Sequence, residues 1–299
     1  MDLIQKVDLK LKSDQDGETL DFEKLHTSAK FDLQKSPPKP EILISIGRDS
    51  RNNLISLATA GNLSMILGEE KSRKTWLKSL IIGCCFDGES WRHSDFIKGH
   101  LPKGKFILNV DTEQGRYDAW KSAIRIPKIV GGKENPLYPE NLINISLREY
   151  TAKQRLDYIE WLVFNSEYRG KIGIMFIDGF VDLINDFNNQ IESFEVVGKL
   201  MRWSTLANMN IFGVLHTNPG TDKGRGHFGT ILQQKCESVL FIKKEGDVST
   251  VTAKRMRNGD FEGFELSIGS DYLPYANTGI SDYQPAINVR SLPAIEDIF

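Results

Sequence analysis

From Glu41 onward the chain alternates short apolar runs with longer segments that are apolar on one face only. That is the rhythm of strands and helices in a parallel sheet wrapped by helices. The pattern predicts strands at 42–46, 63–67, 106–111 and 142–146, with helices at 74–86 and 115–124 between them. Thr151-Ala-Lys-Gln154 reads as a capping box, in which hydroxyl and amide each satisfy an unpaired backbone N–H. Leu156, Ile159, Leu162 and Val163 then share one helical face, and the helix stops before Gly170. Ile172-Gly-Ile-Met-Phe-Ile177 is apolar throughout, as in a strand buried on both faces, and Asp178 follows at its carboxyl end. Asn189 and Glu192 open a helix that runs to residue 208, and Ile211-Phe-Gly-Val-Leu215 makes another buried strand ending at His216. Segments 237–243, 248–255 and 261–267 predict an antiparallel set joined at Glu245-Gly246-Asp247 and at Asn258-Gly259, a hairpin signal.

The two ends break this rhythm. Residues 1–40 are polar and close with Ser36-Pro37-Pro38-Lys39-Pro40, which continues neither helix nor central strand and reads as an arm or linker. From Ser270 no periodicity survives, so the expected division is an arm at 1–40, a core domain at 41–268 and a tail at 269–299. At 299 residues, 40% apolar and 26% charged, the chain suits one large α/β domain with appendages. A net charge of −2 excludes a globally basic nucleic-acid coat, leaving local loops or a multi-subunit pore for any such contact. Cys84, Cys85 and Cys236 form no C-x-x-C pair and no even disulfide set, so reduced, buried thiols are expected. No apolar run approaches the length of a membrane helix and Met-Asp-Leu-Ile-Gln-Lys is not a signal peptide, so the expectation is a cytoplasmic protein with no membrane partner.

The chemistry concentrates at strand ends. The run Gly61-Asn-Leu-Ser-Met-Ile-Leu-Gly68 leads into Glu69-Glu70-Lys71-Ser72-Arg73-Lys74-Thr75-Trp76, where a helix is expected to start. A loop ending in Lys-Thr is the arrangement of a phosphate-binding P-loop, G-x-x-x-x-G-K-[ST]. Its N–H groups and helix N-terminus surround the phosphates, the lysine reaches the β/γ oxygens and the hydroxyl ligates Mg2+. Gly68 to Trp76 are thus candidate nucleotide contacts, with Thr75 also a metal ligand. Arg73 stands in place of the second glycine. A right-handed backbone is expected there, which makes its Cβ a matter of crowding rather than of forbidden conformation.

Asp111-Thr-Glu113-Gln114, Asp178 and His216-Thr-Asn218 are the other equipped strand ends. Hydrolysis of a γ-phosphate needs positive charge, a carboxylate on the metal side and a group that orients water. Asp178 suits the metal side, with a turn cap as the plainer role. Glu113 suits the general base, with Asp111 as rival and a solvated loop carboxylate as the plainer role. His216 suits a γ-phosphate sensor, with a local hydrogen bond as the plainer role. No G-x-G-x-x-G follows a strand, which sets aside a dinucleotide dehydrogenase.

Taken together these segments resemble the RecA-like P-loop ATPases, and among them the small hexameric replicative-helicase type of plasmids, mobile elements and phages. The resemblance spans residues 41–268 and rests on Gly68 to Thr75, Asp111-Thr-Glu-Gln114 and Ile177-Asp178-Gly179. Above all it rests on Val214-Leu-His216-Thr-Asn218 followed by Arg225-Gly-His227-Phe-Gly229-Thr230. It implies a RecA-like core, mainly parallel sheet flanked by helices with a C-terminal antiparallel extension, using ATP and Mg2+. It further implies a homo-oligomer, a hexameric ring with ATP between subunits. Lys74, Thr75 and Asp178 would bind it, Glu113 would activate water, His216 would sense the γ-phosphate, and Arg255 and Arg257 would act as fingers from the neighbour. Lys223 and Arg225 would meet phosphates of single-stranded DNA. The implied activity is ATP-driven movement on single-stranded DNA in replication of a mobile element. The alternatives are an ATP-binding switch or scaffold with little hydrolysis, and a recombinase-like filament.

Overall fold

The computed structural model describes residues 21–218 and 220–277. In chain order these carry α1 (Phe22–Ala29), β1 (Ile42–Arg48), β2 (Leu54–Thr59), β3 (Leu63–Gly68), α2 (Lys74–Gly83), β4 (Ile97–Gly99) and β5 (Phe106–Asp111). Next come α3 (Arg116–Ala123), α4 (Arg125–Gly131), β6 (Leu142–Ser146), α5 (Ala152–Phe164), β7 (Ile172–Asp178), α6 (Gln190–Ala207) and β8 (Asn210–His216). The chain closes with α7 (Gly226–Lys235), β9 (Ser238–Glu245), β10 (Val248–Met256), β11 (Phe264–Ile268) and β12 (Pro274–Asn277).

The protein is α/β, built on a nine-stranded sheet of order β12-β11-β10-β9-β3-β8-β7-β5-β6. From β9 to β6 neighbouring strands run parallel, and β10, β11 and β12 extend the β9 edge antiparallel. Because side chains alternate across a strand, each apolar run feeds both faces. Ile172, Met175 and Ile177 of β7 pack with α5, α6 and α7 on one face, while Ile174 and Phe176 join the core shared with α2 and α4 on the other. The capping box at Thr151 and Gln154 is present, and Asn189 caps α6 by accepting from the Glu192 N–H.

Several expectations need correction. Residues 42–46 are not in the parallel sheet: β1 pairs antiparallel with β2 and β4 in a separate three-stranded sheet. Residues of β1 and β2 join the same hydrophobic core as α2, and β2 packs against β3 and β8, which is why β1 is as apolar as a central strand. Buried Glu237, just before β9, fixes the small sheet to the large one. Its carboxylate accepts from the Thr59 N–H (2.6 Å), the Thr59 hydroxyl (2.7 Å) and the Asn210 amide (3.2 Å), and burial pushes its pKa up. The turn at Gly246-Asp247 is as tight as expected, with Glu245 opposite Val248. Asn258-Gly259, however, is no two-residue hairpin, since β10 ends at Met256 and β11 begins at Phe264. The intervening loop crosses to the small sheet, where the Asn258 amide donates to Ser56 Oγ. The sheet also outlasts residue 268, because β12 pairs with β11 up to Asn277; residues 278–299 of the expected tail, and 1–20 of the arm, lie outside the described residues. Among the described residues no helix is long and apolar enough to cross a membrane.

Candidate functional site

Parallel pairing puts the carboxyl ends of β3, β5, β7 and β8 side by side, where open α/β sheets bind ligands. Gly68 is in register with His216, and Asp111 with Asp178. The cleft above them is about 300 Å3 and is lined by residues 71–76 together with Glu113, Gln114, Arg125, Asp178 and His216. A larger cleft of about 420 Å3, holding Trp120 and Tyr138, lies over the β5–β6 edge and shares none of these residues. Two glycines shape the first cleft. A Cβ at Gly68 would lie 2.4 Å from the Ile242 carbonyl oxygen, and one at Gly179 (φ +96°) would lie 2.3 Å from Thr112 Oγ1.

The loop between β3 and α2 wraps around the Lys74 ammonium. Lys74 Nζ donates to the carbonyls of Gly68 (3.0 Å) and Glu69 (2.5 Å) and stands 3.1 Å from His216 Nδ1. Curling two carbonyls inward within so few residues demands reversals, and Lys71 (φ +62°) and Arg73 (φ +75°, ψ +26°) supply them. The right-handed backbone expected at Arg73 is therefore wrong: the residue is left-handed, a conformation that costs a side chain about 1–2 kcal/mol. Its guanidinium donates to the Asp247 carbonyl in the β9–β10 turn (2.5 Å), tethering the loop. Arg73 offers no side-chain cap to the helix that follows. The first-turn N–H groups and the positive end of the α2 dipole thus border the cleft with no side chain capping them.

Charges are tightly interlocked here. Burial pulls the Lys74 pKa down to about 8, opposed by Asp178, Glu113, Glu70 and Glu69. Glu113 Oε1 lies 3.6 Å from His216 Nε2, and that imidazole holds the carboxyl below its usual range despite some burial. Lys78, one turn along α2, pairs with Asp178 at 2.9 Å, and both side chains are almost fully enclosed (1% and 4% exposed). Asp111 is buried and caps its own turn, accepting from the Glu113 and Gln114 N–H groups and the Gln114 amide; burial raises its pKa. That commitment leaves Glu113, rather than its rival Asp111, free to face the cleft. The Thr112 N–H donates to the Asp178 carbonyl (3.0 Å) and its hydroxyl lies within hydrogen-bond reach of the Gly179 carbonyl (2.9 Å), which fixes the β5 and β7 ends against each other. The Arg125 guanidinium carbon lies over the Trp76 ring, 3.6 Å from its centroid, and burial brings its pKa to about 10.

Lys74, Thr75, Trp76, Glu113, Asp178 and His216 thus converge, whereas Glu69 and Glu70 point to solvent. Arg255 and Arg257 do not reach this cleft. They sit at the opposite end of β10, where Arg255 donates to the Gln233 carbonyl and Arg257 to Asn62 Oδ1. Lys223 is exposed on a short hairpin closed by the Thr217–Gly224 bridge, while Arg225 is half-buried with its guanidinium over Phe187. Lys78 and Arg125 were missed from sequence. Lys78 had a signal, a lysine among Leu77, Leu80, Ile81 and Ile82 on a helix that is buried nearly all round. Arg125 had none, since it opens a helix unforeseen in the sequence. Cys84 and Cys236 are buried and free, with burial raising both thiols to about 12. No family model matches the chain, and no curated protein matches it.

Proposed function

We propose that the protein binds and hydrolyses ATP in the Lys74 cleft and works as a RecA-like, ring-forming motor on single-stranded DNA. The supporting observation is the convergence of Lys74, Asp178, Glu113 and His216 at adjacent carboxyl ends of parallel strands, beside a helix N-terminus without a side-chain cap. Phosphate oxygens entering the loop take over the Lys74 ammonium from the Gly68 and Glu69 carbonyls and meet the N–H groups at the start of α2. Arg125 adds a second cation from the same subunit. The Thr75 hydroxyl is a hard oxygen donor that would hold Mg2+ beside the phosphates, and Asp178 would join it only by giving up Lys78; when bound, the ion would neutralise charge on the transferring phosphate.

Glu113, held ionised by its environment, is placed to polarise the attacking water. His216 touches both Glu113 and Lys74, so it can couple phosphate occupancy to the loop that follows β8. In a ring, Arg255 and Arg257 would serve the neighbour's cleft, and Lys223 would meet DNA phosphates with Arg225 beside it. The left-handed Arg73 and the Lys78–Asp178 pair favour a second reading, a nucleotide-bound switch with slow hydrolysis. ATP turnover with and without single-stranded DNA decides between them, with Lys74→Ala and Glu113→Gln alongside. DNA-stimulated turnover lost in both variants supports the motor, binding without turnover supports the switch, and turnover untouched by either change rejects the site.

A further inference from the structure

We infer that Lys78 is a resident counter-cation for Asp178, occupying the place of a divalent cation's charge, so that nucleotide binding by this protein couples only weakly to divalent metal. The inference deepens the nucleotide reading of this cleft and rests on it. Lys78 follows Lys74 by one helical turn, so the two side chains leave α2 on the same face. Lys74 turns up into the loop, and Lys78 runs beneath it to Asp178 Oδ2, with only 1% of its side chain exposed.

Among the described residues Asp178 is the carboxylate in direct ion-pair contact with that ammonium, although Asp111 also acts on it electrostatically. Asp111, the register partner of Asp178, has both oxygens committed to Glu113 and Gln114. The Lys78–Asp178 contact lacks hydrogen-bond geometry, and Asp178 Oδ2 has no other partner, so charge alone holds the pair. A carboxylate this deep needs a counter-charge, and here the chain supplies it before any ligand arrives. A divalent cation approaching Asp178 therefore meets an ammonium it must displace or tolerate at close range, without bulk water to screen the repulsion. Lys74 and Arg125 remain for the phosphates, which lets nucleotide bind on protein charge.

The test uses the full chain and two readouts. Free Mn2+ is titrated by electron paramagnetic resonance without nucleotide, and a fluorescent ADP analogue is titrated in Mg2+ and in EDTA. Wild type should bind the analogue with less than about a threefold difference between Mg2+ and EDTA, and Lys78→Met should gain at least about tenfold in Mn2+ affinity and in Mg2+ dependence. Lys78→Gln keeps a donor at the carboxylate and guards against misfolding, with a smaller gain expected. Adding Asp178→Asn to Lys78→Met should erase the gain. A wild-type affinity already more than about tenfold Mg2+-dependent, or equal Mn2+ binding by wild type and Lys78 variants, overturns the inference. If the analogue binds in neither buffer, the nucleotide reading fails and takes the coupling with it. The Mn2+ titration still decides separately whether Lys78 blocks Asp178.

Discussion

Discharging Lys74 by raising the pH should weaken nucleotide binding, and the structure sets where and how steeply. In the ligand-free protein this ammonium loses its proton near pH 8 instead of 10.5, because burial outweighs the carboxylates around it. Phosphate oxygens would restore the charged form, so proton uptake on binding rises from half a proton at pH 8 toward one, and the fall in affinity approaches tenfold per unit. From pH 8, where half the ammonium is already discharged, to pH 9.5 that is about 16-fold, or roughly 1.6 kcal/mol. Stability moves the opposite way. The folded pKa is depressed, so between pH 8 and 10.5 the unfolded chain holds the proton and the folded chain does not. The desolvation penalty is relieved as pH rises, by at most about 3 kcal/mol. Fluorescent-nucleotide titrations at constant ionic strength between pH 7.5 and 9.5 measure the slope, in a window above the second phosphate ionisation, which lies near pH 6. Lys74→Arg remains charged throughout and should flatten it. A flat wild-type profile, or the same slope in Lys74→Arg, would refute the assignment of Lys74 as the phosphate-binding cation.

Three further outcomes are expected. Gly213→Ala should destabilise the fold by about 1–3 kcal/mol, because a Cβ there would lie 2.1 Å from the Phe180 ring; an unchanged melting temperature would show that Phe180 yields freely. Arg73→Gly should stay within about 1 kcal/mol of wild type, since relief of about 1–2 kcal/mol offsets a lost exposed hydrogen bond and a more flexible unfolded chain. A loss above about 2 kcal/mol would mean that the Asp247 tether dominates the loop. Lys223→Ala should lower the salt slope of single-stranded DNA binding by about 0.7 without altering nucleotide affinity, and an unchanged slope would remove Lys223 from the DNA path.

The parallel core was legible because burial on both faces leaves an unmistakable run: 172–177 and 211–215 match β7 and β8 almost residue for residue. The small antiparallel sheet was not. β4 is only three residues long, and β1 is packed on its inner side as densely as a central strand, so its pattern carries no sign of which partners it takes. Helix α4 was hidden by Pro127, which reads as a breaker yet is tolerated in a first turn, where its missing N–H has no partner to lose. Asn258-Gly259 misled because a turn signal is local, whereas that loop is drawn away by Ser56, roughly two hundred residues earlier in the chain.

The site divides along the same line. Lys74, Glu113, Asp178 and His216 could be named from sequence because each ends or follows a predicted strand, and a parallel sheet gathers such ends on one edge without further information. What sequence could not supply was how those charges are partnered. Lys78 reads as a core-facing lysine until β7 brings Asp178 to it from a hundred residues away, and Arg125 reads as a surface arginine until Trp76 lies beneath it. These two partnerships set the electrostatics of the cleft. With Lys78 committed to Asp178 and Asp111 committed to its own turn, the charges left lining the opening are Lys71, Arg73, Lys74 and Arg125 against Glu113, with His216 beside Lys74 and Glu113. Four cations beside a helix N-terminus, opposed by Glu113 once Lys78 neutralises Asp178, make a cleft that favours an anion over a cation. That preference would weaken if Lys78 were apolar, because Lys74 and Arg125 would then also have to offset the buried Asp178 charge.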